Sequence, residues 1–136
     1  MNLIIFDTSV VVNDLRRGIY EDRLQAVTGL IRWSSVVLAE LWRGAGTQEE
    51  RAIVSKLARN RVVLTPTQSN WVESGQILGK IRADLGFSPE KLRSLHFDVL
   101  IALTARTNGA RLITANARDF EIIHRYRKFA MEVWRA

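Results

Sequence analysis

The chain has 136 residues, 47% hydrophobic and 25% charged, with no cysteine, which fits a single globular domain over residues 1–136 and excludes a low-complexity chain, a disulfide scaffold or a thiolate metal site. Twenty Lys plus Arg, mostly arginine, against 14 Asp plus Glu give a formal charge of +6, a balance that favours a polyanionic partner such as nucleic acid or an acidic protein segment. Apolar runs such as VVLAELW at 36–42 fall well short of the roughly 18 residues of a membrane span, and MNLIIFDTS carries no export signal, so the expected setting is cytoplasmic with no membrane partner.

In chain order, Leu3-Ile4-Ile5-Phe6 is a short continuous apolar run ending in Asp7, the pattern of a strand buried on both faces. A helix is predicted from Ser9 to about Arg17, closed by Gly18, and a second over Glu21 to Val27. Gly29 to Trp33 reads as a second strand, after which Ser34 or Ser35 caps a helix carrying Val36 to Trp42. Gly44-Ala45-Gly46 breaks that helix, and Thr47 with Glu50 forms a capping box for the next, expected to run to about Asn60.

Arg61 to Thr65 is a third short strand and Gln68 to Leu85 a long helix. Gly86-Phe87-Ser88-Pro89 has clear turn chemistry. A short helix is predicted near Glu90 to Leu95, then a separate buried helix over Phe97 to Thr107. Arg111 to Thr114 is a fourth strand, Ala117 to His124 a helix and Phe129 to Trp134 a last strand. Strands alternating with helices indicate an α/β fold with a central, mostly parallel sheet of four to five strands flanked by helices.

Ligand sites of open parallel sheets lie beyond the carboxyl ends of the strands. Asp7 closes the first strand, Glu40 follows the second, Asp119 follows the fourth, and Asp98 sits in the first turn of the apolar helix before it. Each has a structural reading: Asp7 as a helix cap, Glu40 paired with Arg43 three residues on, Asp98 at a positive helix end, and Asn116 with Asp119 as a capping arrangement. Together they point to chemistry. Like charges about 4 Å apart cost on the order of 4 kcal/mol at an effective dielectric near 20, so a carboxylate cluster needs a counterion or must protonate. An oxygen-only donor set suits Mg²⁺ or Mn²⁺, and an acidic pocket on a basic chain suits metal-dependent cleavage of nucleic acid.

Other constellations fail. His96 and His124 are the only histidines, too few for a histidine zinc site, and His96 reads as a structural or surface residue despite its closeness to Asp98. No dinucleotide or phosphate-binding glycine motif occurs, and no triad pattern surrounds Ser9, Ser34 or Ser35. An aspartyl-phosphate phosphatase uses a second Asp two residues after the first, where Ser9 stands, which demotes that reading without excluding it.

The blocks FDTSVVV, SSVVLAELWRG, FDVLIALTA and LITANARDF, in that order across the whole chain, resemble the PIN domain, in particular the VapC-type toxins of toxin–antitoxin pairs. The resemblance implies that Asp7, Glu40, Asp98 and Asp119 bind Mg²⁺ or Mn²⁺, that Thr8, Ser9, Thr114 and Asn116 support the site, and that a metal-activated water hydrolyses RNA. It further implies a homodimer and a cognate antitoxin whose C-terminal tail occupies a groove near the site. Arg43 and Trp42, next to Glu40 in sequence, are candidates for RNA or antitoxin contact; Trp33, Trp71 and Trp134 read as core or dimer contacts. The rival readings are a PIN nuclease of RNA maturation or quality control without an antitoxin, a module that binds RNA or protein without cleaving, and, more remotely, a receiver-type signalling domain.

Overall fold

The computed structural model describes residues 2–59 and 61–135. Four parallel strands form the main sheet in the order β2 (Leu30–Ile31), β1 (Leu3–Phe6), β5 (Ala110–Thr114), β6 (Met131–Val133). Helices α1 (Thr8–Arg17), α2 (Glu21–Ala26), α3 (Ser35–Gly44), α4 (Gln48–Leu57), α5 (Gln68–Leu85), α6 (Pro89–Thr107) and α7 (Ala117–Tyr126) surround it. The expected α/β architecture with a mostly parallel sheet is therefore present. No described helix is long and apolar enough to cross a membrane.

Two expectations need correction. The second predicted strand, Gly29 to Trp33, is divided. Leu30–Ile31 pairs with β1, whereas β3 (Trp33–Ser34) leaves that sheet and pairs in parallel with β4 (Val63–Leu64). The third predicted strand thus belongs to a separate two-stranded sheet. Periodicity shows that a run is extended but not which neighbour it meets. The helices predicted at Glu90–Leu95 and Phe97–Thr107 are one α6 of 19 residues. Its first half is amphipathic and its second half is buried nearly all round, which imitates two elements, but no Gly or Pro lies between Leu95 and Phe97 to break the backbone. The predicted end of α4 near Asn60 falls outside the described residues; α4 closes at Leu57.

Local chemistry accounts for most boundaries. Gly18 adopts φ 63° and ends α1, Pro89 occupies the start of α6 behind the Ser88 cap, and Thr47 and Glu50 form the expected reciprocal box. Ser34 is the cap of α3, accepting from the N–H groups of Val36 and Val37 at 3.1 and 3.4 Å. Gly29 has φ +132°, and a Cβ there would lie 2.7 Å from the Asn2 carbonyl oxygen, so the segment entering β2 passes too close to the chain's start for any side chain.

The core covers both faces of the main sheet. Ile4, Ile5, Leu112 and Ile113, which alternate between the two faces, are fully buried, and Val99, Leu100 and Ile101 of α6 and Val10 of α1 belong to the same core, each side chain contributing on the order of 1.5 to 3 kcal/mol. Trp134 closes the end of the sheet against Phe6 and Tyr20, with ring centroids 5.8 and 5.6 Å away. The register aligns Phe6 with Ile113, and the Asp7 N–H continues the ladder to the Ile113 carbonyl at 2.9 Å. Asp7 and Thr114 therefore emerge side by side at the carboxyl edge, where a ligand site is expected.

Candidate active site at the carboxyl edge of the sheet

Asp7 occupies the N-cap position of α1 without a side-chain capping bond. Its carboxylate instead faces β5. Ser9 Oγ donates to Oδ2 at 2.7 Å and Thr114 Oγ1 donates to the same oxygen at 2.8 Å, so neither hydroxyl engages Oδ1. The same two hydroxyls accept the N–H groups of Ala115 and Asn116 at 3.0 and 2.9 Å. The first Asp and the turn leading to the last Asp are thus held by one network. Burial pushes the Asp7 carboxyl above its usual range despite the two hydroxyl bonds.

Glu40 projects from α3 towards the start of α1. Thr8 Oγ1 donates to Oε1 at 2.8 Å, and the Arg43 guanidinium lies 3.7 Å from Oε2. Arg43 is 71% exposed, so that ion pair contributes little; its guanidinium also sits over the Phe97 ring at 5.7 Å. Burial raises the Glu40 pKa, Asp7's charge adds to the rise, and Thr8 and Arg43 oppose it.

Asp98 is the tenth residue of α6, not a first-turn residue. The reading that it merely complements a helix end fails, because the dipole's influence is confined to the first and last turns. Its pKa is pushed up to about 8, first by burial and then by the charges of Asp7, Glu40 and Asp119, with Lys91 the single opposing influence. That pattern places the three other carboxylates within electrostatic reach of Asp98.

Asp119 lies in the first turn of α7. Asn116 caps that helix, its Oδ1 accepting the Asp119 N–H at 3.4 Å while its Nδ2 donates to Asp119 Oδ2 at 3.1 Å. Lys91 Nζ donates to the other oxygen, Oδ1, at 2.9 Å. Burial raises the Asp119 pKa, but the bonds from Lys91 and Asn116 outweigh it and hold the carboxyl below its usual value. Sequence reading missed Lys91. The available signal was a lysine in the first turn of a helix, two turns before Asp98 on the same helix.

The remaining candidates separate clearly. His96 Nε2 lies 3.0 Å from Ser74 Oγ and its ring meets Trp71 edge-on at 5.8 Å, so it joins α6 to α5. Trp33 and Trp134 are core residues, whereas Trp42 and Trp71 are 47% and 51% exposed. Arg118, Arg125 and Arg135 line an open cleft that includes Asn116.

The all-oxygen donor set fits Mg²⁺ or Mn²⁺ in kind. Among the described residues no three acidic or histidine side chains are spaced as a ready-made metal cage. Mg²⁺ keeps several waters and is commonly held by one or two carboxylates, so a closed cage is not required.

The whole chain resembles solved structures. A chain of the DNA-bound VapBC complex of Salmonella typhimurium is 25% identical, with a TM-score of 0.74 over 98% of this chain and 99% of that one. For VapBC2 of Rickettsia felis bound to a promoter fragment the values are 20%, 0.74, 97% and 98%. For VapC20 of Mycobacterium tuberculosis, a sarcin-ricin loop cleaving toxin, they are 20%, 0.58, 82% and 86%. Among curated proteins none matches the sequence. The model of the PIN domain matches residues 4–126, nearly the full length and a span that includes Asp7, Glu40, Asp98 and Asp119; the chain belongs to the PIN-domain family.

Proposed function

We propose that this protein is a Mg²⁺- or Mn²⁺-dependent endoribonuclease of the VapC type, the toxin of a toxin–antitoxin pair. The observation that carries the reading is the PIN-domain match over residues 4–126, which spans Asp7, Glu40, Asp98 and Asp119, with Asp7 buried just beyond β1 at the edge where parallel sheets bind ligands. Such a site is short of positive charge, and a divalent cation together with a phosphodiester is the chemistry that completes it.

Asp7, Glu40 and Asp98 are the residues that would hold the ion. When bound, the ion supplies Lewis-acid neutralisation of the phosphodiester and acidifies a water for attack. Ser9 and Thr114 fix the orientation of Asp7, and Thr8 fixes that of Glu40, so the carboxylates meet the substrate already aligned. Asn116 aims Asp119 from the turn after β5. The arginine-lined cleft beside Asn116 offers a path for the RNA backbone, and Trp42, half exposed and directly before Arg43 in α3, offers a face for a base or an antitoxin side chain.

An antitoxin segment fits the groove lined by Val12, Leu15, Leu41 and Ile53, because Glu40 and Arg16 also line it and connect it to the site. The half-exposed apolar side chains Trp71 and Val72 on α5 suit a homodimer contact.

Purified protein should cleave a panel of single-stranded and hairpin RNAs with Mg²⁺ or Mn²⁺, and EDTA or Asp7→Asn should reduce the rate by at least about 100-fold. Cleavage that survives both changes would overturn the mechanism. Growth arrest on expression, relieved by co-expressing a small neighbouring reading frame, separates a toxin from a nuclease of RNA maturation.

A further inference from the structure

Lys91 stands where its own helix disfavours it. It is the third residue of α6, within the first turn, and the partial positive charge of a helix N-terminus repels an ammonium group there. Glu90, beside it, follows the usual preference. A residue that violates a local rule needs a compensating contact elsewhere. For Lys91 that contact is Asp119, reached across to α7 at 2.9 Å in a pair whose side chains are only 37% and 16% exposed.

The consequence for Asp119 is that both its oxygens are engaged. Oδ1 receives Lys91 and Oδ2 receives Asn116. The other three carboxylates lack an equally close, half-buried cation: Asp7 has neutral hydroxyl donors, Glu40 has Thr8 and an Arg43 that is 71% exposed at 3.7 Å, and Asp98 has Lys91 only as a remote charge. Charge balance across the pocket is therefore uneven. A full positive charge already sits at one end, supplied by the chain itself.

Resting on the nuclease reading above, we infer that the Lys91 ammonium occupies the cation position beside Asp119, so that the pocket takes one divalent ion, at Asp7, Glu40 and Asp98, and uses Lys91 in place of a second. A second divalent ion at Asp119 would have to displace Lys91 or sit against its charge. An ammonium carries three donors. With one committed to Asp119, the others remain able to meet a phosphate oxygen on the substrate. Lys91 is thus a positioning residue, holding Asp119 in place and defining how many ions the site accepts.

The test counts ions rather than turnover. The full-length chain is titrated with Mn²⁺ and the free ion is followed by its electron paramagnetic resonance signal, with melting temperature checked for each variant. Wild type should bind one Mn²⁺ per chain, Lys91→Met two, Lys91→Arg one, and Lys91→Met combined with Asp119→Asn one again. Loss of the ion pair as a merely structural contact would alter melting without altering this count. Two ions in wild type, or one in both wild type and Lys91→Met, overturns the inference while leaving the nuclease reading intact. If Lys91→Met does not fold, Lys91→Gln takes its place, with the same outcomes. A wild-type chain that binds no Mn²⁺ and cleaves no RNA overturns the nuclease reading and this inference with it.

Discussion

Asp98 gives a direct way to measure the energetic cost of assembling the pocket. Burial, and then the charges of the neighbouring carboxylates, push its pKa up to about 8 from the usual 3.8. Below pH 3.8 the carboxyl is protonated whether the chain is folded or not, and stability is complete with respect to this group. As pH rises towards 8, the unfolded chain releases the proton first and gains free energy that the folded chain does not. The loss is complete once pH has passed the folded value. At about 1.36 kcal/mol per pH unit the full span is on the order of 6 kcal/mol, an upper figure, because water and relaxing side chains screen the pocket. Asp98→Asn removes the titration and keeps the shape. In EDTA, urea unfolding should show the variant's advantage over wild type growing from its value near pH 4 by roughly 2 to 4 kcal/mol at pH 8. Adding Mn²⁺ at pH 8 should reverse the order, since only a chain that binds the ion gains stability from it. An advantage that stays constant with pH in EDTA would refute the assignment of Asp98 as an uncompensated carboxylate.

Two further outcomes follow from the geometry. Thr114→Val deletes the 2.8 Å bond to Asp7 and the 2.9 Å acceptor for the Asn116 N–H; thermal or urea melts should show a loss of roughly 1 to 3 kcal/mol, with slower RNA cleavage because Asp7 and the turn before Asp119 both lose their anchor. Gly29→Ala forces a Cβ to within 2.7 Å of the Asn2 carbonyl at φ +132° and should cost about 2 kcal/mol or more, whereas Gly75→Ala, in α5 with nothing within 4 Å, should stabilise by about 0.5 to 1 kcal/mol in the same assay.

Local rules explain what could be read in advance. A continuous apolar run ending in Asp7, caps at Ser34, Thr47 and Asn116, and the left-handed Gly18 are properties of a few neighbouring residues, and the structure repeats them. Asp7 and Asp119 were legible for the same reason, as residues just beyond β1 and β5, whereas Asp98, expected in the first turn of a helix, is the tenth residue of α6. The cap reading of Asn116 with Asp119 also holds. It serves the site rather than competing with it, since the cap residue also donates to the carboxylate.

The sequence by itself determined the alternation of elements, the turn chemistry and the positions of Asp7 and Asp119 just after strands, because those depend on backbone preferences and on burial patterns within one segment. Only the tertiary structure decided where the extended run from Leu30 to Ser34 divides between two sheets, that α6 is unbroken so that Asp98 lies far from its start, and which donors meet which carboxylates. Thr8 reaches Glu40 across 32 residues, Thr114 reaches Asp7 across 107, and Lys91 reaches Asp119 across 28. Those pairings follow from how the crossover helices pack on the parallel sheet, and no window of neighbouring residues contains that information.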